Sequence, residues 1–270
     1  MPYGYSTGST GFIDDDSRDP TQVTALVNVI NLDRTPHRLH KFIENNPSIP
    51  IRRFPAIDGA LLDRDELIRD GIIQESNRYS KNALGNLMSH VMLWRKCISD
   101  GTPYHIAEDD ALLHPYFMDR AFAMLASLGL WDICYWGWNF NWPVRVNLSP
   151  TVRNVVMVFD QNDMRRQIRL FRGSETSSEL VRLDSCAGIA CYSISPRGAA
   201  NLLERCLPVG MTPARAVIKP GGTWRNTALD VEMSRHHAGL LSYACLPPLA
   251  FVLNDNSTYA ERAGQGALPR

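Results

Sequence analysis

The stretch VTALVNVINLDRTPHRLHKFIENN, residues 23–46, decides the fold. Its first part, 23–33, is an apolar run rich in β-branched residues, which is typical of a buried strand. Its second part begins with Thr35 as a helix N-cap and Pro36 at the first helical position, and its apolar residues then recur at helical spacing. A strand that leads directly into a helix is the basic unit of an α/β protein.

Strands and helices continue to alternate along most of the chain. Each predicted strand is a short apolar run, and each predicted helix carries apolar residues three or four positions apart. The predicted strands are 51–59 with its turn, 104–107, 131–139 and 186–195; the predicted helices are 63–71, 80–101, 115–129, 195–207 and 226–239; and 155–171 resembles a hairpin around a polar turn. This alternation predicts an α/β sheet that is parallel at least in part.

Composition limits both the domain count and the class of partner. The chain has 270 residues, 44% of them hydrophobic, which is enough for one or two domains. Because no internal repeat or low-complexity linker is present, we predict one domain over 23–258, between a disordered tail at 1–22 and a flexible tail at 259–270. The formal net charge is zero, which argues against nucleic acid or an anionic membrane bound through bulk electrostatics.

Cysteine usage and the absence of targeting signals bear on the compartment. The six cysteines form no CxxC pair and most lie in apolar stretches, which favours buried thiols in a reducing compartment over disulfides or a zinc site. We find no signal peptide and no apolar run long enough to span a membrane. The expected location is cytoplasmic, with peripheral contact at the inner face of a membrane as one option.

Three consecutive carboxylates, Glu108, Asp109 and Asp110, follow the apolar run 104–107; we call them the acidic motif. Two unit charges about 4 Å apart repel by roughly 4 kcal/mol near a protein surface, so the motif needs a cation, protonation or solvation. If the backbone stays extended, Glu108 and Asp110 share one face about 6.5 to 7 Å apart and Asp109 points away. Hard oxygen ligands at a strand end suit Mg²⁺ or Mn²⁺.

Two simpler interpretations of acidic runs stay open. The acidic motif could be a surface turn in which an aspartate caps the helix that begins near Pro115. A second acidic run, Asp14 to Asp16, lies among Gly, Ser and Thr without apolar periodicity, and we expect it to be solvated.

Six segments, in this order and at this approximate spacing, resemble the family 25 glycosyltransferases, which include bacterial enzymes of lipooligosaccharide synthesis and the collagen galactosyltransferases. The segments are VNVINLDRTPHR (27–38), RRFPAIDG (52–59), LGNLMSHVMLW (84–94), YHIAEDDALL (104–113), WDICYWG (131–137) and GIACYSISPRGAANLL (188–203). The resemblance spans roughly 25–255. It implies a GT-A-like nucleotide-sugar-binding fold with a mixed, mostly parallel sheet flanked by helices, a UDP-sugar donor, Mn²⁺ or Mg²⁺ at the acidic motif, and inversion at the anomeric carbon.

Carried over to this sequence, the resemblance gives the acidic motif its roles. Asp110 is the best candidate metal ligand, Glu108 is a second metal ligand and a nucleotide-side group, and Asp109 belongs to the donor site. Asn31 and Arg34, which follow the first strand, suit diphosphate or uridine contacts.

Four other candidate donor-site residues have equally good structural explanations. Arg38 also suits a diphosphate contact, but could be a solvated helix residue. Ser89 and His90 match a Ser-His pair of the family, although a structural histidine is an equal alternative. Asp58 could contact a sugar or cap a turn.

The acceptor side is less well marked. Asp230 matches a late aspartate of the family and is our candidate general base, with Glu232 and Asp255 next in line; a carboxylate that complements a helix dipole is the alternative. His237, seven residues after Asp230, could complete a metal or diphosphate site or be a surface histidine. Residues 141–185 do not align with the family, and we expect acceptor specificity there.

These expectations combine into a metal-dependent, inverting glycosyltransferase. The expected donor is UDP-galactose, and the expected acceptor is a glycan or glycolipid of lipopolysaccharide or lipooligosaccharide synthesis. Two alternatives remain: a catalytically inactive GT-A-like binding or adhesion module, and a glycoside hydrolase that uses the carboxylates as acid and nucleophile and works in EDTA.

Overall fold

The computed structural model describes residues 24–175, 177–217 and 222–252. The predicted tails at 1–22 and 259–270, with the acidic run Asp14 to Asp16, lie outside the described residues. Asp255, a further candidate general base, also lies outside them.

The described residues form thirteen strands and eight α-helices. The strands are β1 (Val27–Asn31), β2 (Ile51–Pro55), β3 (Tyr104–Glu108), β4 (Ala111–Leu113), β5 (Ile133–Gly137), β6 (Val144–Asn147), β7 (Val155–Met157), β8 (Glu179–Ser185), β9 (Cys191–Ile194), β10 (Ala214–Arg215), β11 (Thr223–Trp224), β12 (Ser242–Leu246) and β13 (Ala250–Val252). The helices are α1 (Pro36–Asn45), α2 (Arg64–Arg69), α3 (Lys81–Asp100), α4 (Phe117–Ser127), α5 (Gln161–Arg166), α6 (Ile168–Gly173), α7 (Pro196–Cys206) and α8 (Leu229–Ser234).

Nine of these strands form one mixed sheet in the order β2-β1-β3-β9-β5-β12-β8-β6-β7. β1 is parallel to both β2 and β3, and β5 is parallel to β12. The other neighbours pair antiparallel, beginning with β9, which lies between β3 and β5. The predicted α/β class, with a mixed sheet and flanking helices, is confirmed. The parallel pairs are fewer than the antiparallel ones among these strands.

Two apolar cores flank the sheet. The larger one joins α3, α7 and α8 and contains the fully buried Trp94. The smaller one joins α1 and α4 and contains the fully buried Trp136. All six cysteines are free thiols and are buried, as their apolar surroundings in the sequence predict.

The cap residues place two helices where the sequence predicts them. Ser80 precedes α3, and its hydroxyl accepts a hydrogen bond from the backbone N–H of Ala83 at 3.2 Å. α3 ends at Gly101, which has a left-handed φ of 65°. Ser195 caps α7 in the same way, and Pro196 is its first residue.

The predicted hairpin over 155–171 is wrong. Only β7 is a strand in this stretch, and it pairs with β6; the chain then forms α5 and α6. The local reason is Asp160, whose carboxylate accepts a hydrogen bond from the backbone N–H of Asp163 at 2.9 Å and so caps α5. The polar residues assigned to a turn are therefore the first turn of a helix.

The structure also bears on the last predicted helix and on membrane spans. The predicted helix 226–239 is shorter: α8 ends at Ser234, and a separate 3₁₀ turn follows at His237–Gly239. As for the membrane, none of the helices in the described ranges is both long enough and apolar enough to cross one.

Candidate functional site

The candidate site lies at the carboxyl end of the parallel strands β1 and β3. Ile30 of β1 is the register partner of Glu108, the last residue of β3. Asn31, the last residue of β1, is therefore next to the acidic motif. Carboxyl ends of strands in α/β sheets are where ligands bind.

The backbone of the acidic motif is not extended but turns, so the condition under which Glu108 and Asp110 would share one strand face is not met. β3 ends at Glu108, and Asp109 and Asp110 form a turn before β4. Asp109 accepts hydrogen bonds from Asn31 Nδ2 at 2.7 Å and from Arg38 Nε at 2.8 Å. Arg38 Nη2 also lies 3.6 Å from Asp110 Oδ2. The alternative in which an aspartate caps the next helix is not observed, because α4 has no side-chain cap bond.

Arg38 is thus an ion-pair partner of the acidic motif rather than a solvated helix residue. Its side chain is only 16% exposed. Burial lowers the pKa of Arg38, but the hydrogen bond to Asp109 and the nearby carboxylates outweigh this and raise it. The guanidinium therefore stays charged and offsets part of the negative charge of the motif.

Glu108 is held by α3 and strongly perturbed. Asn86 Nδ2 donates a hydrogen bond to Glu108 Oε1 at 2.9 Å. Burial, followed by the charge of Asp110 and then that of Asp230, raises the pKa of Glu108 to about 8. Asp230, in the first turn of α8, is therefore near enough to Glu108 to act on it electrostatically. We call Glu108, Asp110 and Asp230 the carboxylate cluster.

Asp230 is positioned by the loop before β9. Its Oδ2 accepts a hydrogen bond from the backbone N–H of Gly188 at 2.8 Å, and burial raises the pKa of Asp230. Gly188 has a φ of +95°, and a Cβ there would lie 2.4 Å from the backbone nitrogen of Asn139. Only glycine fits this conformation and this contact, so Gly188 is required for the position of Asp230.

The carboxylate cluster suits a divalent cation by its chemistry, although among the described residues its three members do not bring their ligand atoms within 4.8 Å of one another. Its members are carboxylates, the hard oxygen donors that Mg²⁺ and Mn²⁺ prefer. Burial is the largest cause of the raised pKa of Glu108, and the negative charges of Asp110 and Asp230 raise it further. A bound divalent cation would remove this repulsion.

Arg34 and Asp58 lie beside the site but contact each other. They form an ion pair in which the Arg34 side chain is 49% exposed. Asp58 also accepts a hydrogen bond from the backbone N–H of Ala60 at 2.9 Å, and this bond and the pairing with Arg34 lower the pKa of Asp58. Asp58 therefore caps a turn, and Arg34 keeps an exposed cation near the end of β1.

Ser89 and His90 are fully buried in α3. Ser89 Oγ accepts a hydrogen bond from the backbone N–H of Ile57 and donates one to the carbonyl of Gly85. His90 Nδ1 lies 2.7 Å from the hydroxyl of Tyr192, and burial lowers the pKa of His90 to about 3. Both side chains hold packed elements together, in line with the structural alternative for His90.

Glu232 is only two residues from Asp230 but has a different environment. Its buried carboxylate pairs with Arg235, lies 3.1 Å from His236 Nε2 and accepts a hydrogen bond from Asn226. Asn226 in turn accepts one from the hydroxyl of Tyr79. Glu232, His236 and Cys206 approach within 4.8 Å of one another, but Arg235 already neutralises the carboxylate.

The prediction that His237 could be a surface residue or complete a metal site with Asp230 is wrong. His237 lies beyond the end of α8 and is fully buried. Its ring packs edge-to-face on Tyr135 at 5.1 Å, and burial lowers its pKa to about 3. The shared helical face that the spacing implied does not exist, because α8 stops at Ser234.

Sequence reasoning missed Asn86 and Gly188. Asn86 could have been found as a polar residue on α3 one helical turn before His90, on the side that faces the sheet. Gly188 carries no comparable signal, because a glycine next to an apolar strand is common and its positive φ is visible only in the structure.

Comparisons with known proteins bear on the family of this chain. The family model described as glycosyltransferase family 25 (LPS biosynthesis protein) matches residues 26–214, which include the acidic motif. A curated protein of Anopheles gambiae, described as a glycosyltransferase 25 family member, is 26% identical over 141 residues, which cover 47% of this chain and 24% of that protein. The chain therefore spans about a quarter of the length of that relative. The resemblance based on sequence motifs is confirmed.

Proposed function

This chain belongs to glycosyltransferase family 25, and we therefore propose that it is a metal-dependent, inverting glycosyltransferase with a GT-A-like fold. The proposed reaction transfers galactose from UDP-galactose to a glycan or glycolipid acceptor of lipopolysaccharide or lipooligosaccharide synthesis. The observation that carries this proposal is the carboxylate cluster, in which Glu108 and Asp110 lie at the end of β3 and Asp230 lies in the first turn of α8.

Asp110 and Glu108 are the proposed ligands for Mn²⁺ or Mg²⁺. Asp109 is a poor choice, because Asn31 and Arg38 already bind its carboxylate. When bound, a divalent cation stabilises the negative charge that develops on the diphosphate leaving group.

The arginines at the end of β1 are the proposed diphosphate side of the site. Arg34 is half exposed, and its partner Asp58 lies on the surface, so a diphosphate can replace that partner at little cost. Arg38 is fixed by Asp109, so it supplies a fixed positive charge beside the cluster. A planar guanidinium suits two phosphate oxygens at once.

Asp230 is the proposed general base. In an inverting transfer, a base takes the proton from the acceptor hydroxyl as its oxygen attacks the anomeric carbon. The raised pKa of Asp230 makes its carboxylate a stronger proton acceptor. The Gly188 N–H holds this carboxylate in place, which limits the reorganisation needed before attack.

UDP release from UDP-galactose, measured with and without Mn²⁺, tests the proposal. We expect UDP release that needs Mn²⁺ and stops in EDTA. Calorimetry across UDP-galactose, UDP-glucose and the N-acetyl sugars then identifies the donor. UDP-sugar binding without turnover at any metal concentration would instead support the inactive binding module, and cleavage of glycosides in EDTA would support the hydrolase.

A further inference from the structure

Exposed apolar side chains concentrate in one stretch of the chain. Eleven large apolar side chains are exposed among the described residues, and five of them lie between 148 and 170. These five are Leu148, Val152, Val156, Val158 and Leu170. Single exposed apolar residues are ordinary, but a contiguous patch of them marks an interaction surface, so the question is what else lies beside these five.

The first part of this stretch is the edge of the sheet. β7 is the last strand in the sheet order. Val155, Met157 and Phe159 pack against the core, whereas Val156 and Val158 alternate with them and are 40% and 71% exposed. An edge strand with outward apolar residues is a liability unless something covers it.

The second part, α5 and α6, adds positive charge. Between Gln161 and Gly173 the chain has four arginines and one aspartate, a formal charge of +3 in a chain whose total is zero. Arg166 and Arg169 are exposed, and Leu170 beside them is 69% exposed.

One aromatic cluster supports both parts. Phe159, just after β7, contacts Phe140 with ring centroids 5.3 Å apart, and Phe140 contacts Phe251 at 5.4 Å. Phe251 then contacts Phe171 of α6 at 4.2 Å. Because these rings form a continuous chain of contacts, the end of β7 and α6 lie on neighbouring parts of the same core.

A cavity lies beside α5 and α6. Its volume is about 310 Å³, and its lining includes Met164, Leu170 and Phe171 together with Pro247 and Phe251. Arg120 also lines it. The stretch 148–173 therefore carries outward apolar residues and arginines, and an apolar recess lies beside its second part.

We propose that this basic apolar surface, formed by the exposed apolar residues between 148 and 170 and the arginines of α5 and α6, binds the surface of an anionic lipid bilayer. The arginines would contact lipid phosphates, and Val158 and Leu170 would enter the interface between headgroups and acyl chains. The charge is complementary to anionic lipid, and the apolar residues favour lipid over nucleic acid, whose outer surface is phosphate. The zero net charge of the whole chain does not oppose this, because the attraction is local.

Co-sedimentation of the full chain with vesicles tests the proposal. We expect binding to vesicles of phosphatidylcholine mixed with phosphatidylglycerol, weaker binding as salt is raised, and little binding to phosphatidylcholine alone. The double variant Arg166→Glu/Arg169→Glu should weaken binding at least about tenfold, and Leu170→Ser or Val158→Ser should weaken it several-fold.

Matched controls lie elsewhere on the chain. Leu130→Ser replaces a residue 71% exposed, and Arg69→Glu/Arg95→Glu reverses two exposed arginines of α2 and α3. These controls should bind the mixed vesicles within about twofold of the wild type, since they lie outside the basic apolar surface.

Four outcomes would overturn the proposal. The first three are equal binding to both kinds of vesicle, no binding at low salt, and equal losses of binding in the surface and control variants. The fourth is a dimer in sedimentation velocity that Val158→Ser or Leu170→Ser dissociates, without binding of the chain to vesicles; the surface would then bind a second copy of this chain. Melting temperatures of the variants check that each is folded.

Discussion

Asp230 and Glu232 lie two residues apart in α8, yet they belong to two opposite kinds of site. Asp230 adds to the negative charge that acts on Glu108, and its hydrogen bond comes from the backbone N–H of Gly188. Glu232 is more completely buried and has the guanidinium of Arg235, the ring of His236 and the amide of Asn226 around it. The first site concentrates negative charge, and the second neutralises it.

This difference separates a reactive carboxylate from a structural one. A buried charge is tolerated when a partner compensates it, and removing either partner is then costly to folding. A buried charge among like charges raises pKa values and attracts a cation, which is typical of functional sites. Sequence position cannot make the distinction, because both residues occupy the first turn of the same helix.

The largest effect is expected from Asp110→Asn. Losing this carboxylate removes a proposed metal ligand, so transfer should fall to background, and Mn²⁺ and UDP-sugar affinity should fall together in calorimetry. The metal-free protein should melt no lower than the wild type, because repulsion with Glu108 is relieved. Asp65→Asn, at an exposed position in α2, is the control and should change neither the transfer rate nor the Mn²⁺ and UDP-sugar affinities. Near-normal turnover with unchanged Mn²⁺ dependence would contradict the assignment of Asp110.

Asp230→Asn should affect turnover and spare binding. We expect kcat to fall by about 10² to 10⁴, the usual contribution of a positioned general base, while UDP-sugar and Mn²⁺ affinity stay within a few-fold. Initial rates measure kcat, and calorimetry on the same preparation measures the UDP-sugar and Mn²⁺ affinities. If the variant loses metal and donor affinity as badly as Asp110→Asn, Asp230 is part of the metal shell and another residue must be the base.

The elements between β1 and the acidic motif could be predicted from the sequence, because the residues that determine each of them are close together in the chain. The strand-to-helix passage into α1, the capping serine of α3 and the turn at Gly101 each depend on a few neighbouring residues. The acidic motif was likewise recognisable from residues that are adjacent in the chain.

What could not be predicted depends on contacts between distant segments. The turn at Asp109 is stabilised by Asn31 and Arg38, which are more than seventy positions away in the sequence. Whether Glu232 is catalytic or structural depends on its partners in the fold, and a carboxylate two residues from a candidate base gives no sign of them. Residues 155–171 were misassigned because Asp160 fits a turn and a helix cap equally well.

Glu232→Ala should affect stability and spare catalysis. Removing the buried carboxylate leaves the amide of Asn226 without its acceptor and the partly exposed Arg235 without its partner, so we expect the free energy of unfolding to fall by roughly 1 to 3 kcal/mol, measured by urea denaturation. Below the new melting transition, kcat should stay within a few-fold of the wild type. The double variant Glu232→Ala/Arg235→Ala should recover part of the loss. A fall in kcat as large as that of Asp230→Asn would place Glu232 in the reacting site instead.

The smallest expected effect is a pH dependence of the metal-free protein that comes from Glu108. Its pKa is raised from an ordinary value of 4.5 to about 8. The folded state therefore binds a proton that the unfolded state releases, so the contribution of this group is most favourable at low pH and is lost as pH rises towards 8. In EDTA, the wild type should lose about 2 kcal/mol more than Glu108→Gln between pH 6 and 8.

The comparison between wild type and Glu108→Gln isolates this group. The buried rings of His90 and His237 titrate identically in both proteins, so their contribution cancels. Glu66→Gln, at an exposed position in α2, should follow the wild type. Saturating Mn²⁺ should remove the difference in slope if Glu108 is a metal ligand, because a bound cation keeps its carboxylate ionised at all these pH values. Parallel pH profiles for wild type and Glu108→Gln in EDTA would show that Glu108 is already compensated, as Glu232 is.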